Sequence, residues 1–329
     1  MMNRTPFQTE EPMEAYPPRL LDTPPFHFSR IHAAQQGCDL AVPSRIGLGS
    51  LVCYTPLVSA LSRHTGKRVR LLTGRFPSDR YARLLGRADG ESFNPVWEHN
   101  PYIDEIVDAD AIDPSIMEEV SAEMDNFCQA GHVIENICRA YGLTPRRPAG
   151  ELFLSADEQA WALDTLAHLP RPLVCLCPYG RSSSRPGNPW HLDNWKRLLE
   201  KLDGQAGFFQ VGHEKLSHKP LGIFAPQTTI RQMMALIWAS DVYIGFDTGP
   251  SHIAAALGVP SAVIWDCVLK SVLEEHKEAG YAAATMGRWS YPHLKNLMIL
   301  GERESEVLKA SVRFVTCEIR RFQSEDNID

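Results

Sequence analysis

The stretch Ser240–Trp265, SDVYIGFDTGPSHIAAALGVPSAVIW, constrains the fold of this chain more than any other. A short apolar run (Val242 to Phe246) enters a small turn (Asp247, Thr248, Gly249, Pro250). An alanine-rich helical pattern follows (Ser251 to Leu257), then a Gly-Val-Pro turn and a second apolar run (Ser261 to Trp265). Strand, turn, helix and strand in that order form the unit of a parallel sheet. Its chemistry sits in the turn. Gly249 lets the backbone come close to a ligand, Pro250 needs no N–H partner in the first helical turn, and the next amides face any anion placed there. Asp247 or Ser251 can cap the helix, while Thr248 and His252 add a hydroxyl and an imidazole at the same mouth. A phosphate is the natural guest. Taken alone, the turn is equally the start of a capped helix with a satisfied surface histidine, so the rest of the chain has to decide.

The same alternation runs through both halves. Cys38 to Val42 reads as a strand, followed by a loop through Gly47, Leu48, Gly49 and Ser50 and a helix carrying Leu51, Tyr54, Leu57, Val58 and Leu61. The third glycine of the dinucleotide fingerprint is missing, as is an acid at the end of the next strand, which weighs against a nicotinamide-dependent oxidoreductase. Val69 to Thr73 is a second strand, and a third ends at Glu105 to Val107. One long helix is expected from Ile116 to Tyr141, with His132 on it as a structural residue or as the lining of an interdomain cleft. Beyond a linker at Arg146 to Gly150, Ser155 caps a helix and Leu173 to Cys177 forms a strand. That strand feeds a loop rich in hydroxyls and arginines, residues 178–190. Further elements are a helix to Leu202, a strand at Phe208 to Val211 with Glu214 at its exit, and a helix over Gln227 to Trp238 headed by Thr228 and Thr229. A strand near Leu297 and a helix at Ser305 to Phe322 end the chain. The class is α/β, with polar side chains gathered at the carboxyl ends of strands, where open parallel sheets bind ligands.

A chain of 329 residues is comfortable as two domains. The expected division is an irregular arm over 1–35, where Pro6, Pro12, Pro17, Pro18, Pro24 and Pro25 interrupt any period, then domains over 36–150 and 151–310. Residues 311–329 form a helix and tail packing back on the amino-terminal domain. A net charge of −7 excludes a general nucleic-acid binder, which needs a basic stripe. The eight cysteines are scattered, and Cys175 and Cys177 share one side of a strand without closing a metal loop, so neither a metal nor a disulfide framework is expected. Acids and prolines stand where a secretory signal needs an apolar core, and no later run reaches the length of a membrane span, so the expected location is cytoplasmic.

With these residues assembled, the sequence resembles glycosyltransferase family nine, the ADP-heptose:lipopolysaccharide heptosyltransferases. The likeness extends from about Cys38 to Phe322 and is strongest over Leu173 to Trp265. Asp247-Thr248-Gly249-Pro250-Ser251-His252, continued by three alanines and Leu257-Gly258-Val259-Pro260, carries it. Ser183-Ser184-Arg185 resembles the family's hydroxyl pair and base, Glu214 falls where the family has an acid, and Gln227 to Met234, Thr228 included, falls where adenine and ribose contacts lie. The resemblance implies a GT-B fold, two Rossmann-like doubly wound domains facing a central cleft. It further implies inverting transfer of a sugar from a nucleotide-sugar donor, ADP-linked in the family, to a glycan hydroxyl, with no metal and no separate cofactor. Asp247, Thr248, Gly249 and His252 would hold the sugar and diphosphate, Ser183, Ser184 and Arg185 the phosphates, and Glu214 the ribose or base. Two departures stand out. The family's Gly-Asp step is Gly49-Ser50 here, and a serine cannot take the acceptor proton unaided. Asp79, His99, Asp104 and Asp125 are the candidate replacements, and a non-catalytic sugar-nucleotide binder is the alternative. The family's lysine before its tryptophan is absent near Asn188, leaving Arg181 or Arg185 to supply the charge. The partners implied are the donor and a hydroxyl-bearing acceptor, with membrane contact at most peripheral.

Overall fold

A computed structural model describes residues 26–77, 93–123, 131–178, 192–212, 221–265, 289–298 and 304–325. The first half runs α1 (His27–Gln35), β1 (Leu40–Ala41), α2 (Leu48–Val52), α3 (Thr55–Thr65), β2 (Val69–Thr73), β3 (Ile103–Asp108), α4 (Ala109–Ile112), α5 (Pro114–Ala122) and α6 (Val133–Ala140). Its strands pair in parallel in the order β1-β2-β3, with Leu40 opposite Leu71 and Leu71 opposite Ile106. The second half runs α7 (Ala156–Leu166), β4 (Leu173–Cys177), α8 (Leu192–Lys201), β5 (Gly207–Gln210), α9 (Ile230–Trp238), β6 (Val242–Phe246), α10 (Gly249–Leu257), β7 (Ser261–Trp265), β8 (Lys295–Met298) and α11 (Glu304–Glu325). Here the order is β5-β4-β6-β7-β8, every pairing parallel. The fold is the two-part Rossmann-like α/β arrangement expected.

The strands of the second sheet are buried on both faces, which is why β4, β6 and β7 read as unbroken apolar runs. Alternation then sorts their side chains. Val174 and Leu176 join Trp195, Leu198, Val307 and Val315 on one side. Cys175 and Cys177 face the other, in a core that also takes Ile253, Met233 and, from the first half, Leu51, Val52 and Leu57. One apolar core therefore crosses from one half of the molecule to the other, through the contact of α2 with α10.

Three expectations need correction. Part of the arm is helical: α1 starts directly after the last proline pair, and Glu123 accepts from the Phe28 and Ser29 amides and the Ser29 hydroxyl at 2.7–2.9 Å, satisfying amides its own cap leaves open. The long helix over Ile116 to Tyr141 is not continuous. Gly131 adopts φ 100°, and His132 caps a new helix by accepting from the Ile134 amide. The final helix packs on the carboxyl-terminal sheet beside α8, not on the amino-terminal domain, because Val307, Leu308, Val315 and Ile319 recur at helical spacing and fill one face of β6–β8. The stretch 146–150 connects the two halves outside any helix or strand and is packed: Ala149 is fully buried and Arg147 donates to the Ala256 carbonyl at the end of α10.

Candidate active site

The carboxyl end of β6 delivers Asp247 and Thr248 to the head of α10. Thr248 is the residue that enters the helix. Its amide donates to the Ser251 hydroxyl (3.1 Å), which in turn donates to the Thr248 carbonyl (2.7 Å), while the Thr248 hydroxyl donates back to Phe246. Ser251 thus serves the cap, as one of the two sequence alternatives held, and Asp247 does not; its carboxylate is left facing His252, with Oδ1 3.5 Å from Nε2. Leu48 and Gly49, at the start of α2 in the other half, close over this turn. A Cβ on Gly49 would lie 2.3 Å from Cδ2 of the buried His252 ring, so no side chain fits there without a shift, and one on Gly249 would meet the Leu48 side chain tightly at 3.1 Å.

The far side of the imidazole is equally well defined. Nδ1 of His252 lies 2.7 Å from the hydroxyl of Tyr291, and the Cys53 sulfur sits 3.9 Å from the same nitrogen and 3.8 Å from the same hydroxyl. Trp289 packs edge-on against His252, and His132 and His293 flank the Tyr291 ring. Burial dominates the titration of this group. It pushes Asp247 up to about 7, although that side chain keeps 30% of its exposure and lies at the mouth of the recess. It pulls His252 down to about 3, with His132 adding to the effect, and raises Cys53 to about 12. A neutral imidazole beside a carboxyl that exchanges its proton near neutrality can donate and accept hydrogen bonds without carrying fixed charge.

A family model for glycosyltransferase family 9 (heptosyltransferase) matches residues 132–265, the span that contains this turn and its flanking strands. Over that span the chain is similar to glycosyltransferase family 9. Among solved structures, a glycosyl transferase family 9 protein from Veillonella parvula aligns at TM-score 0.59 and 11% identity over 85% of this chain and 97% of the other. The ADP-heptose lps heptosyltransferase II of E. coli aligns at 0.57 and 12% identity, over 86% and 99%. The E. coli heptosyltransferase WaaC with ADP follows at 0.51 and 12%, over 84% and 99%. At such identities the likeness concerns the fold. No curated protein matches the sequence.

Asp247, Thr248, Gly249 and His252 come together at this turn, with Ser50 one residue from the Gly49–His252 contact and half-buried. Thr228 is 4% exposed just before Thr229, whose hydroxyl accepts from the Gln232 amide to cap α9, so little of the Thr228 side chain is open to a ligand. Of the candidate bases, Asp104 stands at the amino end of β3, opposite to the end at which β1 feeds the Gly47–Ser50 loop, and pairs with Arg68 at 3.6 Å. His99 lies 3.7 Å from Glu158 in a cluster with Glu98. The ligand atoms of Glu98, His99 and Glu158 lie within 4.8 Å of one another, the spacing of a metal trio. Arg231 already fills it, with Nε and Nη2 2.7 and 2.6 Å from the two oxygens of Glu158. Asp79, Asp125, Ser183, Ser184, Arg185 and Glu214 lie outside the described residues. Sequence reasoning missed Cys53, Trp289 and Tyr291: none belongs to a motif, and each reaches the site only because α2 and the segment before β8 converge on His252. Among the described residues no helix is long and apolar enough to cross a membrane.

Proposed function

We propose that this glycosyltransferase moves a sugar, heptose as in its family, from an ADP-linked donor to an acceptor hydroxyl of a lipopolysaccharide core or related glycan, with inversion and without a divalent metal, in the cytoplasm. The observation that carries the reading is the turn Asp247–Thr248–Gly249 at the carboxyl end of β6, placed directly against the Gly49–Ser50 loop of the other half. A donor with its diphosphate at the head of α10 meets the Gly249 amide and the positive end of the helix, which stabilise the charge that develops on the leaving diphosphate. Asp247 then faces the sugar, held from behind by His252. In the transfer, the acceptor oxygen bonds to the anomeric carbon as the bond from that carbon to the phosphate oxygen breaks; the electron pair of the broken bond leaves on the diphosphate, and the acceptor proton passes to solvent. Ser183, Ser184, Arg185 and Glu214 complete donor binding on the strength of the family motif. Turnover of ADP-heptose, within a panel of nucleotide sugars, tests the reading: Asp247→Ala should lower the rate by at least about a hundredfold, the scale of losing one preorganised polar contact to the transition state. An unchanged rate would remove the site.

Ser50 favours a second reading, a protein that binds a sugar nucleotide without transferring it. Neither His99 nor Asp104 stands at this turn to take over the proton, since both are engaged in ion pairs elsewhere. Tight donor binding by calorimetry with no product on any acceptor would establish that reading in place of the first.

A further inference from the structure

We infer that Tyr291 is a positioning residue for the Asp247–His252 pair: by donating its hydroxyl proton to Nδ1 of His252 it fixes the imidazole as the tautomer whose Nε2–H points at Asp247. The geometry is direct. The hydroxyl and Nδ1 are hydrogen-bonded at 2.7 Å, and Nε2, on the opposite edge of the ring, stands 3.5 Å from Asp247 Oδ1, close enough for charge contact and a short adjustment away from a hydrogen bond. Tyr291 and His252 are 2% and 5% exposed, so solvent has little room to replace either partner.

The direction of the bond is the step proposed, since a phenol and a neutral imidazole can each give or take the proton between them, and Cys53 offers the phenol only a weak sulfur acceptor at 3.8 Å. Burial raises the phenol of Tyr291 well above its ordinary range, so it stays protonated and has a proton to give. Burial and the nearby His132 hold His252 neutral, and a neutral imidazole carries one N–H. When Nδ1 accepts, that proton must reside on Nε2. The groups that face the ring from its surroundings do not compete. Cys53 contacts Nδ1 only at 3.9 Å and is itself held protonated, Trp289 presents an edge at a centroid distance of 5.9 Å, and His132 lies behind the tyrosine, 5.3 Å ring to ring. A turn of the ring about its own axis would exchange the two edges. The hydrogen bond to Tyr291 opposes it, as does the packing of Cδ2 against Gly49. The consequence for transfer, which rests on the function proposed above, is that Asp247 receives a fixed donor from behind and keeps its outer oxygen for a hydroxyl of the donor sugar.

The tautomer can be read without any activity. Two-bond proton–nitrogen correlation spectra of the full-length, nitrogen-15-labelled protein, with His252 assigned by its loss in His252→Gln, should show a protonated Nε2 and an unprotonated, hydrogen-bonded Nδ1. In Tyr291→Phe the Nδ1 resonance should move toward that of a nitrogen without a hydrogen bond, or the two tautomers should mix. The midpoint of the pH profile of turnover should move with it, which loss of packing alone would not cause. If Tyr291→Phe does not fold, 3-fluorotyrosine at position 291 keeps the ring and strengthens the donor, and Nδ1 should shift in the opposite sense. An unchanged His252 spectrum in a folded variant overturns the inference whatever the activity, whereas an altered spectrum in a protein that transfers no sugar upholds it and counts against the functional reading alone.

Discussion

Burial acts with opposite sign on Asp247 and His252, and the two effects nearly hide each other in a titration of stability. Between the ordinary carboxyl value of 3.8 and about 7 the folded protein keeps a proton on Asp247 that the unfolded chain has lost, so this group makes stability fall as pH rises. Between about 3 and 6.5 the unfolded chain holds a proton on His252 that the folded protein lacks, and stability rises with pH. His132, lowered to about 4 by burial, acts in the same sense as His252. From pH 4 to 6.5 one of the two histidine contributions is therefore offset by Asp247. Asp247→Asn removes the offset, and denaturation midpoints measured across that window should climb more steeply than in the wild type, by about 1.4 kcal/mol per pH unit. An unaltered slope would mean that Asp247 is ionised in the folded protein. With the proposed donor the same group gives a second expectation. Above pH 7 Asp247 adds a negative charge beside a diphosphate, so the calorimetric affinity for ADP-heptose should weaken as pH rises through about 7, and Asp247→Asn should flatten that dependence.

At the scale of elements, α2 and α10 are held at a distance set by the absence of a side chain at position 49. Gly49→Ala would put a methyl group 2.3 Å from a ring atom of His252, closer than atoms tolerate, and neither the strand-anchored helix nor the buried ring can yield freely. The expected cost is about 1–3 kcal/mol by thermal or denaturant unfolding, the range of an overpacked core, together with a clear loss of transfer. A variant as stable and active as the wild type would show that the two helices separate in solution. The sequence made α10 legible because every local signal agrees there: an apolar strand before it, Pro250 in its first turn and Gly258 at φ 76° ending it. It made the α2–α10 contact illegible, since nothing about Gly49 or Leu48 taken locally says what will pack on them. The misread helix from Ile116 to Tyr141 has a local cause. Apolar spacing continues through the stretch, while the first helix ends at Ala122 and a new one starts at Val133, after the positive φ of Gly131 and the cap supplied by His132. Tyr291 was invisible for a different reason: its role comes from the crossover before β8, which no period or motif marks.

The two halves of the molecule meet at a second place, and there the contact is polar. Arg231 on α9 is 7% exposed at its side chain; it donates to Glu158 through two nitrogens, to the Phe153 carbonyl, and across to the Pro95 carbonyl in the first half, with Glu98 3.4 Å away. Glu158 is also tied to the Ser155 amide in the capping box that starts α7. Burial alone would raise the Glu158 carboxyl, but the hydrogen bonds from Arg231 and Ser155 outweigh it and leave it below its ordinary value. One guanidinium thus joins the head of α7, the body of α9 and the loop before β3, on the side of the molecule where β3 begins, while α2 and α10 join the halves where β1 and β6 end. Removing the guanidinium leaves Glu158 and two carbonyls without their donor, so Arg231→Met should cost about 3 kcal/mol, the lower end for a broken buried pair because Glu158 retains 21% exposure. Hydrogen exchange separates this from a merely local loss. Amides around Pro95–Asn100 and the start of α7 should exchange faster, while those of α2 and α10 should keep their wild-type protection. Equal acceleration in both places would mean that Arg231 holds the whole interface and that the halves part as rigid bodies.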